Sequence, residues 1–235
     1  MTDQTLPPLL TTKMWPGRGG PWYYDTLGRH GRPVILIPAI LFERTIWWPT
    51  AADLRPYATV LTVDLPGHGH SPRRTHYQPD ELVDELAELI AHLDLRRAPV
   101  IVAHGSSTGL AVRFTHRYAV HAVVTIDPYL ETPTDRATYL RDVGADTVPG
   151  PYRHLVTAVD DPHLLDDYRP CLAPWPTDDT APAPRHTRLA VHSRPPSAQI
   201  IQALPGWRHE TYQVPGKFAH LTDGDRFTRD LRSLL

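Results

Sequence analysis

Hydrophobic positions along this 235-residue chain follow two periodicities. Short, β-branched, almost wholly apolar runs recur at "VILI" (34–37), "TVLTV" (59–63), "VIVA" (100–103) and "AVVTI" (122–126). Runs of this kind suit strands buried on both faces, as in a parallel sheet covered by helices. "PWYYDTL" (21–27) predicts a further strand, and "GRHGRP" the turn after it. In "PDELVDELAELIAHLDL" (79–95), Leu82, Val83, Leu86, Leu89, Ile90 and Leu93 return at helical spacing, with acids on the other face. "GLAVRFTHRYA" (109–119) can place Leu110, Phe114 and Tyr118 on one side of a second helix. Strands alternating with helices predict a three-layer α/β sandwich with a mostly parallel sheet.

The rhythm is absent at both ends of a central stretch. Residues 1–20 are rich in Pro, Gly and Thr and predict an N-terminal arm. From Pro128 to about residue 187 the alternation breaks, with helical patterns in "TPTDRATYLRDVG" and "YRHLVTAVDD" and then the Pro-rich "PCLAPWPTDDTAPAPRH". It resumes with "RLAVHS" (188–193), the strand-like "HETYQV" (209–214) and a last helix carrying Phe227, Leu231 and Leu234. The expected organisation is a core of residues 21–127 and 188–235 carrying a small, reduced lid at 128–187.

Composition narrows the partners. A net charge of −2 provides no polybasic field, which argues against nucleic acid or an anionic membrane. The single cysteine, Cys171, excludes an internal disulfide and a thiolate-rich metal site. Fourteen histidines are scattered without the spacing of a zinc helix, so no metal is expected. An early acidic residue and the lack of an apolar run of signal or membrane-span length predict a cytoplasmic protein. All basic residues but Lys13 and Lys217 are Arg, a bias that carries no functional reading here.

The order of the motifs resembles the α/β-hydrolase superfamily from about Tyr23 to the C-terminus. "TVDLPGHGHS" is similar to that family's strand-end Asp followed by a Gly-His-Gly loop and Ser. "TIWWP" (45–49) resembles the start of its first helix region, and "VPGKFAHLTDGDRF" the segment carrying its catalytic His. The resemblance implies a nucleophile on a strained strand-to-helix turn, a His, a carboxylate that orients the His, and backbone N–H donors for an oxyanion.

"VAHGSSTG" (102–109) is where that turn belongs, and three registers fit it. "AHGSS" puts His104 at the family's frequent His and Gly105 at the apex, and it keeps the following helix in step. "GSSTG" satisfies G-x-S-x-G with Ser107 as nucleophile. A third register places Ser106 at the apex, between positions that should be small. Glycine at the apex is preferred because it takes a left-handed backbone without steric cost, and it cannot attack a carbonyl. Past "RLAVHS" no carboxylate appears until Glu210, leaving Asp127 as the acid that could orient His220. The loop "PAIL" (38–41) replaces the family's His-Gly, although a backbone donor at Ile40 survives beside that of Ser106. Trp47 reads as a core anchor. Trp48 and Tyr129 read as pocket residues, and Tyr139, Tyr152, His154 and Trp175 as further aromatic lining.

Three altered positions together imply a repurposed site. The expected function is cofactor-free, non-hydrolytic acid–base chemistry (elimination, cyclisation or isomerisation) on a small, largely apolar carbonyl compound. His220 would exchange protons, the Ile40 and Ser106 amides would hold the oxyanion, and Ser106 or Ser107 would position the substrate. One alternative is a serine esterase or lactonase using Ser107 or Ser106 with His220 and Asp127. Another is a binding protein without turnover. A monomer or homodimer acting on a small molecule is expected in each case.

Overall fold

The computed structural model describes residues 12–129, 133–172 and 186–235. Its strands are β1 (Lys13–Gly17), β2 (Gly20–Leu27), β3 (Arg32–Ile37), β4 (Ala58–Val63), β5 (Val100–His104), β6 (Ala122–Ile126), β7 (Thr187–His192) and β8 (Arg208–Thr211). They form one eight-stranded sheet in the order β1-β2-β4-β3-β5-β6-β7-β8. β2 pairs antiparallel with β1 and β4, and the rest of the ladder is parallel. Every residue of β5 and β6 is buried, as double-sided cover by helices requires.

The helices are α1 (Trp48–Leu54), α2 (Pro79–His92), α3 (Thr108–Arg117), α4 (Arg136–Val143), α5 (Leu164–Asp167), α6 (Arg169–Leu172), α7 (Ala198–Ala203), α8 (Ala219–Thr222) and α9 (Gly224–Arg232). α2 packs against α3, and α1 against α9. α2 begins with Pro79 in its first turn, where a missing N–H costs nothing, and buries Leu82, Val83, Leu86, Leu89 and Ile90. Glu85 lies on the same buried face. It accepts from Trp22 Nε1 at 2.6 Å and pairs with Arg74 at 2.7 Å, tying the helix to the β1–β2 hairpin.

Two expectations change. Residues 13–17 are an edge strand rather than an arm, because Trp15 alternates inward and the pair Lys13↔Tyr24 to Gly17↔Gly20 closes a hairpin. The segment beginning "YRHLV" forms a 3₁₀ turn (Gly150–Val156) instead of an α-helix. α4 forms as the pattern predicts, capped by Asp135, which accepts from Thr138 N at 2.8 Å, and stopped by Gly144 at φ +63°. Trp175 lies outside the described residues.

Candidate active site

β5 delivers the chain to the end of the sheet, and the backbone turns at Gly105 with φ +55°. A 3₁₀ turn, Gly105–Ser107, then leads into α3. A Cβ on Gly105 would lie 3.3 Å from Ala39 Cβ and 3.8–3.9 Å from the Tyr129 ring and the Tyr139 hydroxyl. The apex is therefore roofed by those three side chains.

Neither neighbouring serine is free. Ser107 is buried, and its hydroxyl donates back to His104 O at 2.9 Å. Ser106 Oγ accepts from Ile40 N at 3.0 Å and lies 2.8 Å from Tyr139 Oη, which donates to Ile40 O at 3.1 Å. Because the single Tyr139 proton goes to Ile40 O, the Ser106 hydroxyl donates to Tyr139 Oη. The three groups close a ring in which each donor has an acceptor. The Ile40 amide, expected to hold an oxyanion, is engaged by the Ser106 side chain.

His220 sits on α8, 1% exposed, with its ring centroid 4.3 Å from Trp47 and 4.9 Å from His104. Neither of its nitrogens has a hydrogen-bond partner, and burial, followed by the nearness of His104, pushes its pKa well down. It is bonded to neither serine nor to Asp127. The Ser107–His220–Asp127 arrangement of the esterase alternative is not hydrogen-bonded together, and Phe218, Ala219 and His220 all turn into the core.

Asp127 ends β6 in a left-handed conformation, φ +46°, and its carboxylate accepts from Ser193 N at 2.8 Å and Ser193 Oγ at 2.6 Å. Burial raises its pKa to about 6 against the opposing pull of these bonds. It borders a cavity of about 180 Å³ that is also lined by Asp142, His192, Ser193, Arg194 and Lys217.

Lys217 is the residue that sequence reasoning missed. Its amide donates to Val143 O at 2.9 Å, and its carbonyl accepts from His104 Nε2 at 2.5 Å. Its Nζ donates to Asp142 Oδ2 at 2.5 Å and lies 4.1 Å from the Tyr129 ring centre. Tyr129 also donates to Asp142, at 2.5 Å. Burial pushes the Asp142 carboxyl up, but the bonds from Lys217 and Tyr129 outweigh it and leave the pKa below the usual value. His104 thus serves as a brace for Lys217, and burial lowers its own pKa to about 4. The available signal was Lys217 itself, one of two lysines among 24 basic residues, inside the segment matched to a catalytic His.

Other candidates are structural. Trp48 Nε1 donates to Asp25 at 3.0 Å, within a buried cluster around Arg44, and is not part of the cavity wall. His68 accepts from Leu41 N at 2.8 Å, bracing the loop after β3, where Leu41 has φ +76°. Cys171 is buried and donates to Tyr77 O, with burial pushing its pKa up to about 12. Among the described residues no three His, Cys, Asp or Glu side chains converge as a metal site needs, and no helix is long and apolar enough to cross a membrane.

A parallel-centred sheet with a glycine-led turn after β5 defines an α/β-hydrolase fold. Residues 30–234 match the Alpha/beta hydrolase family, and the chain belongs to it. An uncharacterized protein of Mycobacterium tuberculosis (strain ATCC 25618 / H37Rv) is 32% identical over 89 residues, 37% of this chain and 26% of that protein. The chain thus matches about a quarter of the length of that relative. Solved structures share the fold at low identity. A thermophilic esterase from Thermogutta terrifontis superposes with TM-score 0.74 at 16% identity, covering 95% of this chain and 97% of that one. The enol-lactonase from Burkholderia xenovorans LB400 gives 0.72 at 18% identity, covering 94% and 99%. A structure described for ring-cleavage of the Pseudomonas quinolone signal gives 0.75 at 15% identity, covering 95% and 98%.

Proposed function

We propose that this protein is an acid–base enzyme that moves protons on a small carbonyl compound without hydrolysing it, as in an elimination, cyclisation or isomerisation. The observation that carries the reading is Asp127, a buried carboxyl with a pKa of about 6 on the wall of a cavity that also holds the Lys217 ammonium. A carboxyl shifted toward neutrality beside a cation in a cleft is the pattern expected of a working acid–base group. The proton-transfer role first assigned to His220 passes to Asp127, while Lys217 stabilises charge developing on the carbonyl oxygen.

The cavity is similar in volume to a cavity of about 150 Å³ that admits benzene, and its lining includes Asp127, Asp142, Arg194 and Lys217. The substrate is accordingly small and more polar than the apolar compound expected from the sequence. The fold does not choose the reaction, since its solved neighbours include an esterase and an enol-lactonase. What disfavours serine hydrolysis in this chain is that both candidate hydroxyls are bonded elsewhere.

The test needs no knowledge of the product. Small ketones, aldehydes and oxo acids are incubated with the protein in D2O, and exchange of the protons next to the carbonyl is followed by NMR. Catalysed exchange that falls about 100-fold or more in Asp127→Asn supports the proposal. A fluorophosphonate adduct on Ser106 or Ser107 would make the protein a serine hydrolase instead, and tight binding without exchange would make it a binding protein.

A further inference from the structure

The Lys217 amine has a second capacity that its charge alone does not use. Arginine supplies nearly every cation of this chain, and Arg194 supplies one at this same cavity. Arginine keeps its proton under all ordinary conditions, whereas a lysine can lose one and become a nucleophile. Of the two lysines, Lys13 lies on the edge strand and donates to Thr26 Oγ1 at 3.0 Å, while Lys217 is in the cavity.

Its placement is over-determined. The backbone is held at both ends, by Val143 O on the amide and His104 Nε2 on the carbonyl, and the side chain is held by Asp142. Gly216, at φ +66°, allows the close approach to α4, since a Cβ there would fall 2.2 Å from Thr147 Oγ1 and 2.9 Å from Gly144 O. Sites built for chemistry restrict a reacting group in this way from more than one side.

Resting on the carbonyl reading above, we infer that Lys217 Nζ binds its substrate covalently, as an imine with a small aldehyde, ketone or 2-oxo acid. The Asp127 carboxylate takes one ammonium proton, and the Nζ lone pair forms a bond to the carbonyl carbon as the C=O π pair moves to oxygen. Asp127 returns that proton to the oxygen. A second proton passes from nitrogen to oxygen by the same route, and the C–O bond breaks to release water. The balance is Lys–NH3⁺ + O=CR2 giving Lys–NH⁺=CR2 + H2O, with no change in oxidation state and Asp127 restored. Asp142 and Tyr129 keep the resting ammonium in position. The iminium then acidifies the neighbouring C–H, and Asp127, on the wall of the same cavity, would remove that proton.

Reductive trapping decides the matter, because Lys13 and the amino terminus serve as internal controls. The intact protein is incubated separately with acetone, pyruvate and benzaldehyde in the presence of cyanoborohydride, and each lysine is quantified by peptide mass spectrometry. Modification of Lys217 at least tenfold faster than Lys13 with one of these probes, saturating with its concentration, is expected. Equal or slower modification of Lys217 in folded protein with all three would overturn the inference. Lys217→Arg separates this from the acid–base reading, since it retains charge but cannot form an imine. If the variant folds and keeps the solvent-deuterium exchange, covalent catalysis is overturned while proton transfer by Asp127 stands. Loss of exchange in the variant together with trapping in the wild type supports both, and trapping without any exchange would sink the acid–base reading alone.

Discussion

Gly105 is the residue on which the proposed departure from hydrolysis turns. The turn after β5 has a left-handed backbone at φ +55°, and on the reading proposed above Gly105 stands where a nucleophile would. Restoring a hydroxyl should not restore hydrolysis. In Gly105→Ser, the new Cβ meets Ala39 at 3.3 Å, and an L-residue in the left-handed region costs about 1–2 kcal/mol. The nearest imidazoles are unsuited to take the serine proton: His104 has one nitrogen on Lys217 O, and His220 is stacked on Trp47 within the core. The expected outcome is a variant destabilised by about that amount in urea and inert to a fluorophosphonate. Stoichiometric labelling of the new serine would show that a functional base does reach the apex.

At the scale of elements, legibility followed how many faces a segment buries. β3, β5 and β6 stood out because both of their faces are buried, which leaves a continuous apolar run. β1 did not, because an edge strand needs only Trp15 inward and tolerates Pro16 and Gly17. The candidate site was partly legible. Gly105, Asp127 and Tyr129 could be singled out by position, but spacing cannot tell which side of a loop meets a cavity. In residues 217–220, Phe218, Ala219 and His220 are buried, while Lys217 remains partly open and lines the cavity, a distinction that the motif's spacing does not carry. The segment between β3 and α1 carries another feature invisible to spacing. Arg44, in the 3₁₀ turn before α1, is buried between Asp25 on β2 and Asp64 after β4, with Nε 2.8 Å from Asp25 Oδ2 and a second pair to Asp64. Removing it leaves two buried carboxylates without a cation. Arg44→Met should lose about 3–5 kcal/mol in urea unfolding, and Arg44→Lys should recover only part of that, because an ammonium cannot span both acids. A loss below about 1 kcal/mol for the methionine variant would show that the cluster contributes little to holding β2, β4 and α1 together.

Across the whole molecule, buried histidines set the response to acid. Burial lowers His68, His104 and His192 to about 4, and His220 is also lowered well below its ordinary value. Below about pH 6.5 the unfolded chain takes up protons at these four residues and the folded chain does not. Unfolding is then favoured as pH falls, by up to about 1.4 kcal/mol per pH unit for each such histidine until its folded pKa is reached. Asp127 works in the opposite sense. Its folded pKa of about 6 lies above the unfolded value near 3.8, so between those limits acid stabilises the folded state through this one group. Burial shifts Glu43, Asp53 and Asp64 in the same direction as Asp127, and His121 and His186 in the same direction as the four histidines. The histidines are the groups whose unfolded value lies near pH 6.5, so the urea midpoint should fall from there toward pH 4.5. His220→Phe tests both the origin of this slope and the assignment of the site. The imidazole makes no hydrogen bond and packs against Trp47 and Phe227, so an aromatic hydrocarbon removes two unpaired polar atoms while still filling the space. The variant should match or exceed the wild type in stability at pH 7, exceed it at pH 5, and lose about one proton's worth of slope. It should also retain the deuterium exchange that Asp127→Asn abolishes. A variant with an unchanged slope and no exchange would return His220 to the centre of the chemistry and remove Asp127 from it.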